Sequence, residues 1–335
     1  EISYWSTIVE ANNGKQEVFS GSYSSAVDTL NYKLSNAVNS QMQADVPLGA
    51  FLSGGVDSST IAALMQDISS QKVKTFSIGF DDSRYNEAEY AKLVAKHLGT
   101  DHHDMYVTSK DALNVLPLLP SVFDEPFADS SQIPMYLVSK IAKSKVTVCL
   151  SGDGGDELFG GYNRYLITSR LWSKISKIPK PVKSVIAQII KSVKPVVWDK
   201  ILNSFYKKQY SNVGYKMHKG ADSLLSKNID DLYFTLSSTI KDPTKWLMSS
   251  EEHSKLNYNF DSKISEIERM MIKDLVGYLP TDILTKVDRT SMAVSLEART
   301  PFLDKEIVKF ALKLPEEYKI RKGVGKSVLR DVLYK

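Results

Sequence analysis

Val46-Pro47-Leu48-Gly49-Ala50-Phe51-Leu52-Ser53-Gly54-Gly55-Val56-Asp57-Ser58-Ser59 is the stretch on which the fold turns. The apolar run from Val46 to Leu52 fits a short buried strand. Ser53-Gly54-Gly55 breaks it, and Ile61, Leu64 and Met65 then open a helical period. Two glycines between strand and helix let backbone amides approach a ligand. Ser58 and Ser59 fall at the helix N-terminus, where free N–H groups and the helix dipole favour an anion. Asp57 repels a bare phosphate unless a cation lies between them, and Mg²⁺ is the natural bridge. A helix capped after a glycine turn would explain Ser58 or Asp57 alone, but not the ordered set.

Working outward, Val27, Leu30, Leu34, Val38 and Met42 recur at helical spacing and predict a helix over 24–43. Downstream, a second apolar run spans Val73 to Phe80, and 86–98 reads as helix. Tyr106-Val107 is a brief third strand candidate; 133–143 reads as helix and Val146 to Leu150 as strand. This alternation predicts an α/β fold, a parallel twisted sheet with helices on both faces and ligands at the carboxyl ends of the strands. Residues 163–220 differ in kind, with 13 Lys and Arg against one acid, Asp199, and apolar residues at helical spacing broken by Pro179, Pro181 and Pro195. Helical periodicity returns from 263 to 313. The expected division is a lead segment at 1–22, a nucleotide-binding core at 23–162, a basic helical insertion at 163–262, and a helical segment at 263–335 that returns to the site.

A second glycine loop follows a strand: Ser151-Gly152-Asp153-Gly154-Gly155-Asp156-Glu157-Leu158-Phe159-Gly160-Gly161-Tyr162, with five glycines and three acids in twelve residues. Carboxylates this close repel one another unless a cation offsets them. The ligand order of an EF-hand is absent. Gly325-Lys326-Ser327 ends like a Walker A loop, but Ile320 stands where that motif needs glycine.

Ser53-Gly54-Gly55-x-Asp57-Ser58-Ser59 resembles the pyrophosphate loop of the N-type ATP pyrophosphatases. The second loop narrows the resemblance to the synthetase domain of the glutamine-hydrolysing, class B asparagine synthetases. Asp124-Glu125-Pro126-Phe127-Ala128-Asp129-Ser130-Ser131, the block from Asp288 to Asp304, and Lys326-Ser327-Val328-Leu329-Arg330 agree with it. These blocks span roughly 45–330. The resemblance implies an adenine nucleotide alpha hydrolase-like, Rossmann-like fold. It also implies ATP-dependent adenylation of the aspartate side chain, followed by attack of ammonia.

By the same resemblance, Phe51, Leu52, Ser53, Ile78 and Gly79 lie against adenine and ribose, and Ser151 and Gly152 contact the nucleotide by backbone. Ser53, Gly54, Gly55, Asp57, Ser58 and Ser59 hold pyrophosphate, and Asp57 and Asp156 bind Mg²⁺. Asp153 supports formation of the acyl adenylate. Lys286, Asp288, Arg289, Glu297 and Arg299 surround aspartate or pyrophosphate, although Glu297 and Arg299 read equally well as a structural ion pair. The resemblance further implies an N-terminal glutaminase domain as partner and a catalytic lysine beyond the Lys326–Arg330 block. The chain as given opens after the first and stops before the second, so glutamine-dependent synthesis is expected to fail. A homodimer is compatible with this reading.

Composition restricts the alternatives. The chain of 335 residues has 42% apolar and 24% charged residues and a formal net charge of +4, ordinary for a globular protein and too little for a nucleic-acid binder by charge alone. A single cysteine, Cys149, excludes an intramolecular disulfide, fits a reducing cytoplasmic setting, and reads as core. No apolar run reaches membrane length. His102-His103 between Asp101 and Asp104 reads as structural rather than metal-binding. The basic stretch reads as a solvated helical face, with RNA and anionic lipid as the alternatives set aside. Two other functions stay open: an amidotransferase of this fold acting on another carboxylate, such as a sugar acid, and a tRNA-binding protein of the same superfamily.

Overall fold

The structure, a computed structural model, describes residues 4–80, 86–205, 212–238, 240 and 258–335. From the N-terminus come α1 (Thr7–Gln16), α2 (Tyr23–Gln41), β1 (Leu48–Phe51), α3 (Val56–Ile68), β2 (Lys74–Phe80), α4 (Ala88–Leu98) and β3 (Asp101–Val107). Then follow α5 (Ser109–Val115), α6 (Leu119–Val122), α7 (Gln132–Lys143), β4 (Val148–Leu150) and α8 (Gly155–Phe159). A helical stretch continues with α9 (Asn163–Ile175), α10 (Lys180–Ser192), α11 (Pro195–Phe205), α12 (Val213–Leu224), α13 (Ile229–Ser237) and α14 (Glu266–Val276). The chain closes with α15 (Thr285–Met292), β5 (Glu297–Arg299), α16 (Lys305–Lys313), α17 (Glu316–Lys319) and α18 (Ser327–Leu333). Two compact units result, one formed by residues up to Gly161 together with Met271–Lys335, the other by Tyr162–Met270.

The first unit is built on a five-stranded, wholly parallel sheet in the order β3-β2-β1-β4-β5. Its central strands are short and apolar because both faces are covered. Successive residues of a strand point to opposite faces. Phe51 accordingly joins Phe76, Val138, Cys149 and Leu296 on the side of α7, while Leu52 packs with Ala62, Ala91 and Ala95 of α3 and α4. Leu30, Leu34 and Phe76 are fully buried, each stabilising the fold by about 1.5–3 kcal/mol relative to exposure. Cys149 is core, as its apolar strand predicts.

Three elements depart from the sequence reading. The third strand runs the full seven residues Asp101–Val107 rather than two. The stretch 297–299, expected to be helical, is the fifth strand, paired with β4 through Val148↔Glu297 and Leu150↔Arg299. The lead segment holds α1, where no helix was expected; a side chain at Gly14 would meet the Leu312 carbonyl of α16 at 2.8 Å. The His102 ring nitrogens bond the Thr75 and Ser77 hydroxyls of β2, and His103 stacks on Phe76.

The second unit is helical over its described residues; 206–211, 239 and 241–257 of the expected insertion lie outside them. Tyr165, Ala221 and Leu232 are fully buried there. Arg164 lies 4.0 Å over the Tyr162 ring and donates to the Tyr233 hydroxyl at 2.8 Å.

Candidate active site

Chain order along the sheet reverses between β1 and β4: β2 and β3 extend to one side of β1, and β5 lies beyond β4. In parallel sheets this is where a crevice opens at the carboxyl ends of the strands. Ala50 pairs with Leu150, so the loops at 53–55 and 151–154 leave the sheet side by side. They touch. A side chain at Gly152 would come within 2.8 Å of the Ser58 amide nitrogen, and one at Gly155 within 2.5 Å of the Asp57 carboxyl carbon. Only glycine permits this approach.

The first loop ends on an uncapped helix. Gly55 is the N-cap of α3 and offers no side-chain acceptor, which leaves the first-turn N–H groups for a ligand. Ser53 and Ser58 hydroxyls lie 3.0 Å apart and tie the loop to that turn. Ser59 is buried, its hydroxyl without a hydrogen-bond partner.

Between the loops sits Lys326, whose Nζ lies 2.6 Å from Asp57 Oδ2 and 2.6 Å from Asp156 Oδ1. Its position follows from Gly325. A side chain there would stand 2.1 Å from the Gly160 carbonyl oxygen, so glycine lets the segment close in, and the Lys326 amide then bonds Phe159 O. Burial pushes the Asp57 carboxyl up to about 6, against the pull of Lys326 and with help from Asp156 and Asp153. Burial depresses the Lys326 ammonium, but the two carboxylates outweigh it and raise its pKa. Lys326 is not among the expected site residues, although the Lys326–Arg330 block was read as agreeing with the resemblance and Gly325-Lys326-Ser327 as a failed Walker motif.

A second cation faces the same loops. Lys286 of α15 is 8% exposed and donates to Asp129 Oδ2 at 2.6 Å and Ser131 Oγ at 2.7 Å. Burial raises the pKa of Asp153, with Ser151 and Lys286 opposing and Asp156 adding to it. Ser151 donates a short hydrogen bond to Asp153.

The remaining expected residues lie elsewhere. Asp288 and Arg289 are on the exposed side of α15, and Arg289 pairs with Asp124 at 2.5 Å. Arg299 bonds Glu297 at 2.7 Å and the carbonyls of Gln41 and Gln43, so their side-chain partners are each other and the end of α2. Leu52 has its side chain in the core, and Ile78 packs beside Val107 and Leu137, which leaves their backbones for a nucleotide. Gly79 sits where a side chain would strike Ala88 and Tyr106.

The donor set suits a hard cation that arrives with phosphates. Asp57 Oδ1 is buried and unpaired, and Asp156 lies across Lys326 from it. Among the described residues no group of three or more His, Cys, Asp or Glu is poised as a metal cage. Mg²⁺ is commonly held by one or two carboxylates, with substrate phosphates and water completing the shell.

This chain belongs to the asparagine synthase family, whose model matches residues 29–335. It is 35% identical over 298 residues to "Asparagine synthetase [glutamine-hydrolyzing] 1" of Bacillus subtilis, covering 88% of this chain and 45% of that protein. It is 37% identical over 271 residues to a putative glutamine-hydrolysing asparagine synthetase of Methanocaldococcus jannaschii, covering 77% of this chain and 48% of the relative. Identity to asparagine synthetase B of Escherichia coli is 34% over 151 residues, 40% of this chain and 26% of that one. The chain thus spans less than half the length of these relatives. Family membership and the parallel sheet together define an adenine nucleotide alpha hydrolase-like domain of a ligase family that uses ATP for amide formation.

Proposed function

We propose that this chain activates the side-chain carboxylate of aspartate with ATP and passes the acyl group to ammonia, forming asparagine. The observation that carries this reading is the contact between the two glycine loops, which gathers Asp57, Asp153, Asp156 and Lys326 around one crevice beside Lys286. ATP and aspartate repel each other, so the first task is to offset charge and hold the reactants in line. The α3 N-terminus receives phosphate oxygens, with Ser53, Ser58 and Ser59 beside it. Asp57 and Asp156 would hold Mg²⁺, which supplies charge neutralisation on the leaving pyrophosphate when bound. Lys326 then turns from the two carboxylates to the phosphates. Lys286, fixed by Asp129 and Ser131, stands beside Asp153 and offsets charge at the α-phosphate.

A carboxylate oxygen attacks the α-phosphorus, the bond to the β-phosphate oxygen breaks, and pyrophosphate leaves with the electron pair. Ammonia attacks the acyl carbon, and AMP departs as the amide forms and a proton is lost. Fixed donors matter at both steps because charge builds on oxygen. In this reading Glu297 and Arg299 brace β5 against α2. Glutamine would supply the nitrogen through a separate glutaminase domain.

Isotope exchange between pyrophosphate and ATP tests the proposal. Exchange should require aspartate, and glutamate, uronic acids and tRNA should not replace it. Exchange driven by a sugar acid, or absence of exchange with every carboxylate, would overturn it.

A further inference from the structure

Helix α10 turns its aliphatic side outward. Val182, Val185, Ile186 and Ile189 recur at helical spacings of three and four, so they form one stripe. They are 46%, 55%, 37% and 59% exposed, whereas the buried residues of the helix are Lys183 and Ala187. A helix that served only to pack on its neighbour α12 would bury the branched residues and leave the lysine in water. At the end of α10, the Trp198 indole N–H of α11 donates to the Ile190 carbonyl at 3.0 Å, and α11 leaves Val196 and Val197 exposed beside that junction. Aliphatic side chains gathered in this way mark a surface that a partner covers.

The charge around the stripe says which partner. Residues 163–220 carry 13 Lys and Arg and a single acid, Asp199. That acid is engaged within the unit, accepting from the Gly214 amide of α12 at 3.0 Å. Lys177, Lys180 and Lys194 flank the stripe in the chain, and Lys200 lies between Val197 and Ile201 of α11. All four lysines are exposed, and none pairs with a carboxylate among the described residues. A second copy of the chain on this face would bring lysines against lysines, with no free acid of 163–220 to meet them. RNA would satisfy the lysines, but single strands are held by stacking on aromatic rings, and the stripe is aliphatic. An anionic bilayer satisfies both halves. Its acyl chains take the stripe, and its phosphates take the lysines, whose long stems let the ammonium groups reach the headgroups. The sequence reading of a solvated basic face is revised here because the residues exposed along α10 include four aliphatic ones on one stripe.

We infer that α10 lies along anionic membrane surfaces, with Val182, Val185, Ile186 and Ile189 in the acyl boundary and the flanking lysines among lipid phosphates.

Flotation of the whole chain with vesicles tests this, with phosphatidylcholine alone and phosphatidylcholine mixed with phosphatidylglycerol as the two surfaces. Binding to the anionic vesicles should be about tenfold tighter or more, and should fall steeply as salt rises. Val185→Ser together with Ile189→Ser should weaken it by about tenfold or more, through lost aliphatic burial. Lys177→Gln together with Lys180→Gln should weaken it by about tenfold as well. Both pairs lie at exposed positions, and circular dichroism checks that the helices persist; the lysine pair carries the test if the serine pair unfolds. No binding up to about 1 mM anionic lipid, or binding that either folded pair leaves unchanged, would overturn the inference. So would a dimer in sedimentation that the serine pair dissolves, or binding to polyuridylate, found in place of vesicle binding.

Discussion

At the residue scale, the proposed chemistry turns on two lysines that carboxylates hold in place. Lys326 joins Asp57 to Asp156 across the two loops. Lys326→Met leaves those carboxylates facing each other without a cation. The expected result is a fall of about a hundredfold or more in aspartate-dependent exchange, with partial recovery in Lys326→Arg. Normal exchange in the methionine variant would refute the role given to this lysine. Asp129 plays the matching part for Lys286. Burial raises its pKa, but hydrogen bonds from Lys286 and Ser131 win and hold it at about 2. Its folded value thus lies below the unfolded one, near 4. The stability it contributes is present above about pH 4 and is lost as pH falls from there towards about 2. Asp129→Asn should therefore cost about 2–3 kcal/mol at neutral pH by leaving Lys286 buried without its carboxylate. Urea titrations of both proteins from pH 7 downward should converge near pH 2; a constant gap would contradict the assignment.

Elements explain which parts of the molecule were legible in the sequence. The central strands β1, β2 and β4 are covered on both faces, so their apolar runs stand out, and the glycine loops after β1 and β4 are unusual enough to mark the site. The misread strands are β3 and β5, the two edges of the sheet. An edge strand needs less apolar surface and carries charge as a guard against further pairing. Asp101, His102, His103 and Asp104 read as loop for that reason, although His102 is held by hydroxyls of β2. Glu297-Ala298-Arg299 is three residues long and disappears between helical periods. Lys326 stood in a block that matched the resemblance but received no role, because its place beside Asp57 depends on a contact between Gly325 and Gly160, 165 residues apart in the chain. That contact can be tested. Gly325→Ala should lower exchange as far as Lys326→Met, because the new side chain pushes the segment off the Gly160 carbonyl. Gly220 in α12 makes the contrast: nothing lies within 4 Å of a side chain there, so Gly220→Ala should stabilise by about 0.5–1 kcal/mol without touching exchange. Differential scanning calorimetry and exchange assays on both variants separate the two cases.

For the whole molecule, the division into two units means that a ligand reports where it binds by what it stabilises. A ligand that binds only the folded state adds RT ln(1 + [L]/Kd), about 2.7 kcal/mol at a hundredfold excess over Kd. If ATP and Mg²⁺ bind in the crevice at the ends of β1 and β4, their stabilisation must act through the sheet unit. Hydrogen exchange then gives an address. With ATP and Mg²⁺ present, amides of the 53–59 and 151–157 segments should slow markedly, together with those of α18, because Lys326 at its start meets the same carboxylates. Asp57→Asn, which removes one of the two carboxylates that meet Lys326, should erase that protection. Protection confined to amides of the helical unit, or protection that survived Asp57→Asn unchanged, would contradict the placement of the nucleotide between the two glycine loops.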